Sequence, residues 1–224
     1  MRRKLPLLAA LVGVLALAAP VGAITNGTAD GGEHPYVGEL LFYVPDVPSS
    51  RFTDPGGWFT CSGTLMSSTI VVTAGHCTFG VGKDGVSTTH DGDDTDAAHG
   101  GVGGNDVWIS FAEVPDFNIL PPSSTFTTQA ARYAAWSAAL NASSEWHRAT
   151  ATPHPLYDDL AFFVHDAGVL RLASPVSMPA YGRLAPPSWL DRYRSQPRNE
   201  HRFETSASAS SGSRARRSSV ATPG

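Results

Sequence analysis

The chain has 224 residues, 42% of them hydrophobic, which suits one globular unit of moderate size, or two small subdomains, and excludes a disordered protein. Its formal net charge is −4, and a nucleic-acid partner is not expected of a chain that is not strongly basic. Twenty-two glycines and 17 prolines fit many turns and short strands.

The N-terminus reads as a targeting segment. Met1-Arg2-Arg3-Lys4 is positively charged, Leu5 to Pro20 is almost wholly Leu, Ala, Val and Gly, and Val21-Gly22-Ala23 supplies small residues for cleavage. Residues 1–23 are therefore expected to be a secretory signal peptide. The apolar run falls short of the roughly 20 residues of a membrane span. The expectation is a secreted, extracellular protein with no membrane partner after cleavage. Export gives Cys61 and Cys77 an oxidising compartment. There a disulfide, contributing roughly 3 kcal/mol, is favoured over a zinc site, which needs four ligands.

From Ile24 onward the pattern is one of strands and turns. Tyr36 to Val44 is an apolar run stopped by Pro45. Trp58 to Met66 and Thr69 to Thr73 are two strand-like runs joined by Ser67-Ser68. Asp106 to Phe111 alternates apolar and polar residues, and Asp166 to Leu172 is nearly continuous apolar sequence. Only Thr127 to Leu140 holds a helical period. Short strands between Pro, Gly and Ser predict an all-β sandwich or barrel.

Two segments stand apart. His90 to Asn105 is acidic and glycine-rich, and Asp91, Asp93, Asp94 and Asp96 resemble calcium-loop spacing. The bidentate Glu such a loop carries about a turn later is missing, so the segment reads as a solvated surface loop. From Ser206 the chain is low-complexity, Ser- and Arg-rich, without an aromatic residue. Residues 24–197 hold 8 basic and 18 acidic residues, a net of −10, whereas residues 198–224 hold 5 and 2, a net of +3. An acidic body thus runs into a basic end that reads as a disordered tail.

The residues with chemical promise lie in Val71-Val72-Thr73-Ala74-Gly75-His76-Cys77. A Ser/His/Asp hydrolase needs a histidine at a cleft wall to take the nucleophile's proton. It also needs a carboxylate on the ring's other nitrogen and an oxyanion hole over the attacked carbonyl. His76 follows a β-branched strand and a small Ala-Gly turn that leaves its ring unobstructed. A bond from Cys77 to Cys61 would pin that turn.

The stretch "CSGTLMSSTIVVTAGHC" closely resembles the signature around the catalytic histidine of the trypsin/chymotrypsin family of serine endopeptidases, in the secreted bacterial type. The resemblance implies His76 as general base and Cys61–Cys77 as the family's His-loop disulfide. "DAGVLRL" resembles the family's "DIALLRL", which gives Asp166 the orienting role ahead of Asp158 and Asp159, and leaves His165 as a loop residue. "TPHPLYDD" resembles the His-Pro-x-Tyr that often precedes it. "ITNG" resembles the mature N-terminus, where a freed amine of Ile24 would pair with the Asp beside the nucleophile. The alternative for it is an ordinary first strand. "HPYVGELLFY" is similar to the next strand of secreted bacterial members.

The family's fold is a double antiparallel β-barrel with the active site between the barrels. On that plan residues 24–180 form the N-terminal barrel with the His/Asp half of the site. Ser177 to Leu190 is the crossing, residues 181–205 begin the second barrel, and residues 206–224 are an aberrant tail. The family implies a protein or peptide substrate, no cofactor, no metal and a monomer. A metal-dependent hydrolase using His90, His99 and the Asp cluster lacks the His-Glu-x-x-His spacing.

One family element is missing from the 224 residues: the Gly-Asp-Ser-Gly-Gly nucleophile segment. Ser195, Ser62, Ser211 and Ser213 lack its flanking glycines or its place in the fold. "NEHRFET" still reads as a strand, and the family typically continues with Val-Gly-Phe-Gly. Codons for that tetrapeptide, read one base late, give Ser-Ala-Ser-Ala, the sequence of Ser206 to Ala209. A frameshift near Thr205 is the expectation. This leaves a chain inactive by itself or, alternatively, a non-catalytic pseudoprotease that binds a protein partner, with its basic tail as a tether. Asn26 and Asn141 are sequons.

Overall fold

In the computed structural model, residues 28–45, 47–82, 104–161, 163–194, 202–205 and 216–221 are described. The expected signal peptide, Ile24, the Asp-rich loop with His90 and His99, and Ser195, Ser211 and Ser213 lie outside them. Nine strands are described: β1 (Thr28–Ala29), β2 (Val37–Val44), β3 (Gly57–Leu65), β4 (Ile70–Thr73), β5 (Val107–Ser110), β6 (Trp146–Pro153), β7 (Gly168–Leu172), β8 (Arg202–Thr205) and β9 (Arg216–Ala221). A single α-helix among the described residues, α1, spans Gln129–Ala142. None of the helices described is long and apolar enough to cross a membrane.

Six strands close an antiparallel barrel in the order β2-β3-β4-β7-β6-β5. The all-β expectation holds at that level: among the described residues strands outweigh helix and build one closed barrel. Closure removes sheet edges that would otherwise pair with other chains. Period-two alternation sorts the side chains. Leu40, Phe42, Leu65, Val71, Ile109, Ala149, Ala151, Leu170 and Leu172 fill the interior. Gly63 is required there by space, because a Cβ would come within 2.6 Å of Val71 and 2.8 Å of Leu40.

The opposite face of β2 and β5 sends Leu41 and Trp108 outward, where they meet Leu140 of α1 and Trp146 in a second buried cluster. The helix is fixed at both ends of its run. Thr128 caps its start with a side-chain bond to the Ala131 amide, and the Asp54 carboxylate accepts from the amides of Gln129 and Ala130, each at 2.8 Å. Anionic groups are favoured at a helix N-terminus by its free amides. Near the other end, Trp108 Nε1 donates to Asn141 Oδ1 at 3.0 Å. Asp106, wholly buried, ties the same layer together by accepting from the Tyr133 hydroxyl at 2.7 Å and from Arg148 at 3.2 Å.

Nine of the twelve boundaries of the expected elements shift by one or two residues, and β6 has no counterpart in the sequence reading. β6 buries only Trp146, Ala149, Ala151 and Pro153, so its apolar signal is too slight to read. The C-terminal region also differs from expectation. β8 lies within the strand-like "NEHRFET", but its partner β9 falls in the segment read as disordered tail. Together with β1 they make a three-stranded sheet, with Phe203 opposite Val220 and Thr28 opposite Arg217. Backbone pairing needs no apolar side chains, so a low-complexity segment can still complete a ladder.

Candidate active site

β4 and β7 are antiparallel neighbours, with Thr73 opposite Gly168. The residues just past the end of β4 therefore meet those just before β7. This is how His76 and Asp166, 90 positions apart, come together. His76 sits in a single 3-10 turn, Gly75–Cys77. Its Nδ1 lies 3.0 and 3.1 Å from the two Asp166 oxygens, and its backbone amide donates to Asp166 Oδ1 at 2.8 Å.

A carboxylate bonded to both the ring and the amide of one residue fixes the ring's plane as well as its tautomer. With Nδ1 facing Asp166, the neutral imidazole carries its proton there and keeps its lone pair on Nε2. The His76 side chain is 52% exposed and that of Asp166 26%, so the ring reaches open space while the acid is partly covered. Desolvation works against ionising Asp166. The amide and ring bonds from His76, the charge of His76 and a bond from the Gly75 amide outweigh it, and the carboxyl is held below its ordinary range.

The turn is built by close packing. Gly75 touches Tyr157 and the Ala167 amide so closely that a Cβ would lie 2.8 and 3.0 Å from them. The glycine therefore serves the contact between the two loops. The Cys61–Cys77 disulfide forms as expected and fastens the turn to β3. Cys61 Sγ lies 4.0 Å from His76 Nε2. The Sγ atoms of Cys61 and Cys77 and the ring of His76 are the one potential metal-ligand cluster among the described residues, but the disulfide occupies both sulfurs.

The other candidates fall elsewhere. Asp158 accepts from the Leu160 amide at 2.9 Å, a local turn bond. Asp159 begins a short 3-10 turn, Asp159–Ala161. Ser62 lies in β3, where its carbonyl accepts from the Thr73 hydroxyl. None of the bonds made by His76 among the described residues is to a serine. Two features escaped the sequence. His34 and Asp30 form another histidine–carboxylate contact at 2.7 Å, but they are four residues apart and close a turn, with the His34 amide on the same carboxylate. His165, read as a loop residue, stacks on His154 in the segment that leads into Asp166. No sequence signal distinguishes it from any other loop histidine. No protein-family model matches the chain, and no curated protein matches it significantly.

Proposed function

We propose that this chain carries the base half of a trypsin-like serine endopeptidase active site, with His76 as general base and Asp166 as its orienter, on the first of the family's two barrels. One observation carries the reading: the His76 ring is clamped through Nδ1 by Asp166 while its side chain stays half exposed. In an acyl transfer Nε2 would take the proton of a serine hydroxyl and later return it to the leaving amine. Asp166 would stabilise the imidazolium between those steps. The disulfide and the "TAGHC" turn support the same reading.

The nucleophile and oxyanion hole are not among the 224 residues in recognisable form, so this polypeptide alone is expected to cleave no peptide. The test has two arms. The 224-residue chain should take up no fluorophosphonate, and labelling of any serine that disappears in His76→Ala would place a nucleophile inside it. The gene should encode Gly-Asp-Ser-Gly-Gly in an alternative frame beyond Thr205. Restoring that frame should yield fluorophosphonate labelling and peptidase activity that fall by several orders of magnitude in His76→Ala. No such segment in any frame overturns the frameshift.

A second reading is favoured by β9. A tail segment that pairs with both β1 and β8 supports a native C-terminus, and with it a secreted pseudoprotease that binds a protein partner. Deleting residues 206–224 separates the two: a native tail lowers the melting temperature when removed, and an aberrant one leaves it unchanged or raises it.

A further inference from the structure

Asp166 can hold His76 only if the backbone presents its carboxylate at the right place, and that backbone is unusual. His165, immediately before it, adopts φ = 56°, one of two non-glycine residues in the left-handed region among those described. Residues with a Cβ are disfavoured there because it crowds the carbonyl, although histidine tolerates the region better than most. The Ala167 amide donates to the His165 carbonyl at 2.7 Å, a three-residue turn with Asp166 at its apex. The Ala167 carbonyl in turn accepts from the His154 amide at 2.8 Å.

His154 thus holds one end of the turn through its backbone and the other through its ring. The His154 and His165 rings lie 4.9 Å apart, centroid to centroid, with planes 5° from parallel. The His154 ring is itself fixed, because its Nδ1 accepts from the Leu156 amide at 3.1 Å. The Tyr157 amide donates to the His154 carbonyl at 2.8 Å, and Tyr157 is the ring packed against Gly75 of the His76 turn. A chain of contacts therefore runs from the His76 turn through Tyr157 and His154 to His165 and back to Asp166.

We propose that His154 and His165 are positioning residues: their stacked imidazoles hold the left-handed turn at His165 and so aim the Asp166 carboxylate at His76. The stack touches neither the reacting atoms nor the barrel core. Its importance for catalysis rests on the active-site reading above, but its geometry does not. Without the stack the turn would relax toward ordinary backbone angles, and Asp166 would lose part of its bonding to the His76 ring and amide.

The test reads that bonding directly in the full 224-residue chain. Labelling aspartate carboxyl carbons with 13C and titrating by NMR gives the midpoint of Asp166, assigned by the signal missing in Asp166→Asn. His154→Ala and His165→Asn should each raise that midpoint by about half a pH unit, a roughly three-fold loss in preference for the charged form. Asparagine tolerates the left-handed backbone but removes the ring, so His165→Asn isolates the stack. His154→Phe keeps a flat ring without an ionisable group and should leave the midpoint near the parent's. Melting temperatures should not move, as the barrel core is untouched. Midpoints unchanged in both ring-deleting variants overturn the proposal, as does His154→Phe behaving like His154→Ala or a loss of folding in both. His76→Ala, run beside them, keeps the two readings apart. If it raises the Asp166 midpoint while the stack variants do not, only the positioning role falls. If it leaves the midpoint unmoved, the active-site reading falls, and the positioning role with it.

Discussion

The barrel has two unlike sides. On the helix side, Leu41, Trp108 and Trp146 are buried against Leu140 of α1, and the Trp58 ring packs among those of Tyr43, Trp108, Tyr133 and Trp136. On the histidine side the ring of His76 is half exposed, and the loop leading to Asp166 displays Leu156, Leu160 and Phe163 at 65, 91 and 75% exposure. Buried aromatic packing is concentrated on the first side and the candidate proton-transfer pair on the second. The difference teaches that a site can be held by a few polar bonds and one disulfide when the barrel behind it is rigid.

The comparison breaks most visibly on the helix side. Trp108→Ala empties a wholly buried site and removes its bond to the Asn141 oxygen, and should cost about 4 kcal/mol in denaturant unfolding. A loss under about 1 kcal/mol would show that the helix layer is not where stability lies. On the histidine side, Cys61→Ser/Cys77→Ser should cost roughly 3 kcal/mol by freeing a loop of 16 residues' separation in the unfolded chain. It should also speed amide exchange at Gly75–Cys77 far more than in β5. Equal acceleration in both places would mean the disulfide does not act locally.

Glu39 sharpens the comparison through pH. It is 2% exposed on the same face of β2 as Leu41, and its Oε2 has no partner among the described residues. Desolvation pushes its carboxyl up to about 7, against a weaker opposing bond from Thr60. The folded state thus binds a proton more tightly than the unfolded one. The resulting stability is fully present below the unfolded value near 4.5 and is lost as pH rises through about 7. The loss amounts to about 3 kcal/mol by pH 8. Glu39→Gln should flatten that slope and stabilise the protein at pH 8, and an unchanged slope would mean that Glu39 is ionised when folded.

Asp166 gives the smallest effect and the opposite sign. Its carboxyl is lowered in the fold, so its contribution is present above the unfolded carboxylate range and is lost as pH falls through the lowered value. Asp166→Asn should change stability at pH 7 by less than about 1 kcal/mol, since the side chain is partly solvated. A chemical-denaturation series between pH 5 and pH 2 should show a shallower acid slope than the parent. A steeper one would reverse the sign assigned here.

Much of this was legible in the residues. β-Branched and aromatic runs marked β2, β3, β4, β5 and β7 because their buried positions are large and apolar. The helix announced itself by period, while its Thr128 cap came only with the structure. β6 did not, because its buried barrel positions 149 and 151 are alanines, and small residues carry little hydrophobic signal. The pairing of His76 with Asp166 was suggested by resemblance in two separate motifs. Their proximity, at 3.0 Å, comes from the β4–β7 register. The His154–His165 stack was illegible because nothing local requires two loop histidines eleven positions apart to meet.

By itself the sequence determined the alternation that closes a barrel, the cysteines able to bond, and the types of group available for proton transfer, since these depend on residue chemistry and short-range spacing. Tertiary structure alone decided how closely Asp166 meets His76, why Gly75 must be glycine, and what holds Asp166 in place. Those facts depend on strands distant in the chain lying about 5 Å apart, a distance that hydrogen-bond register sets.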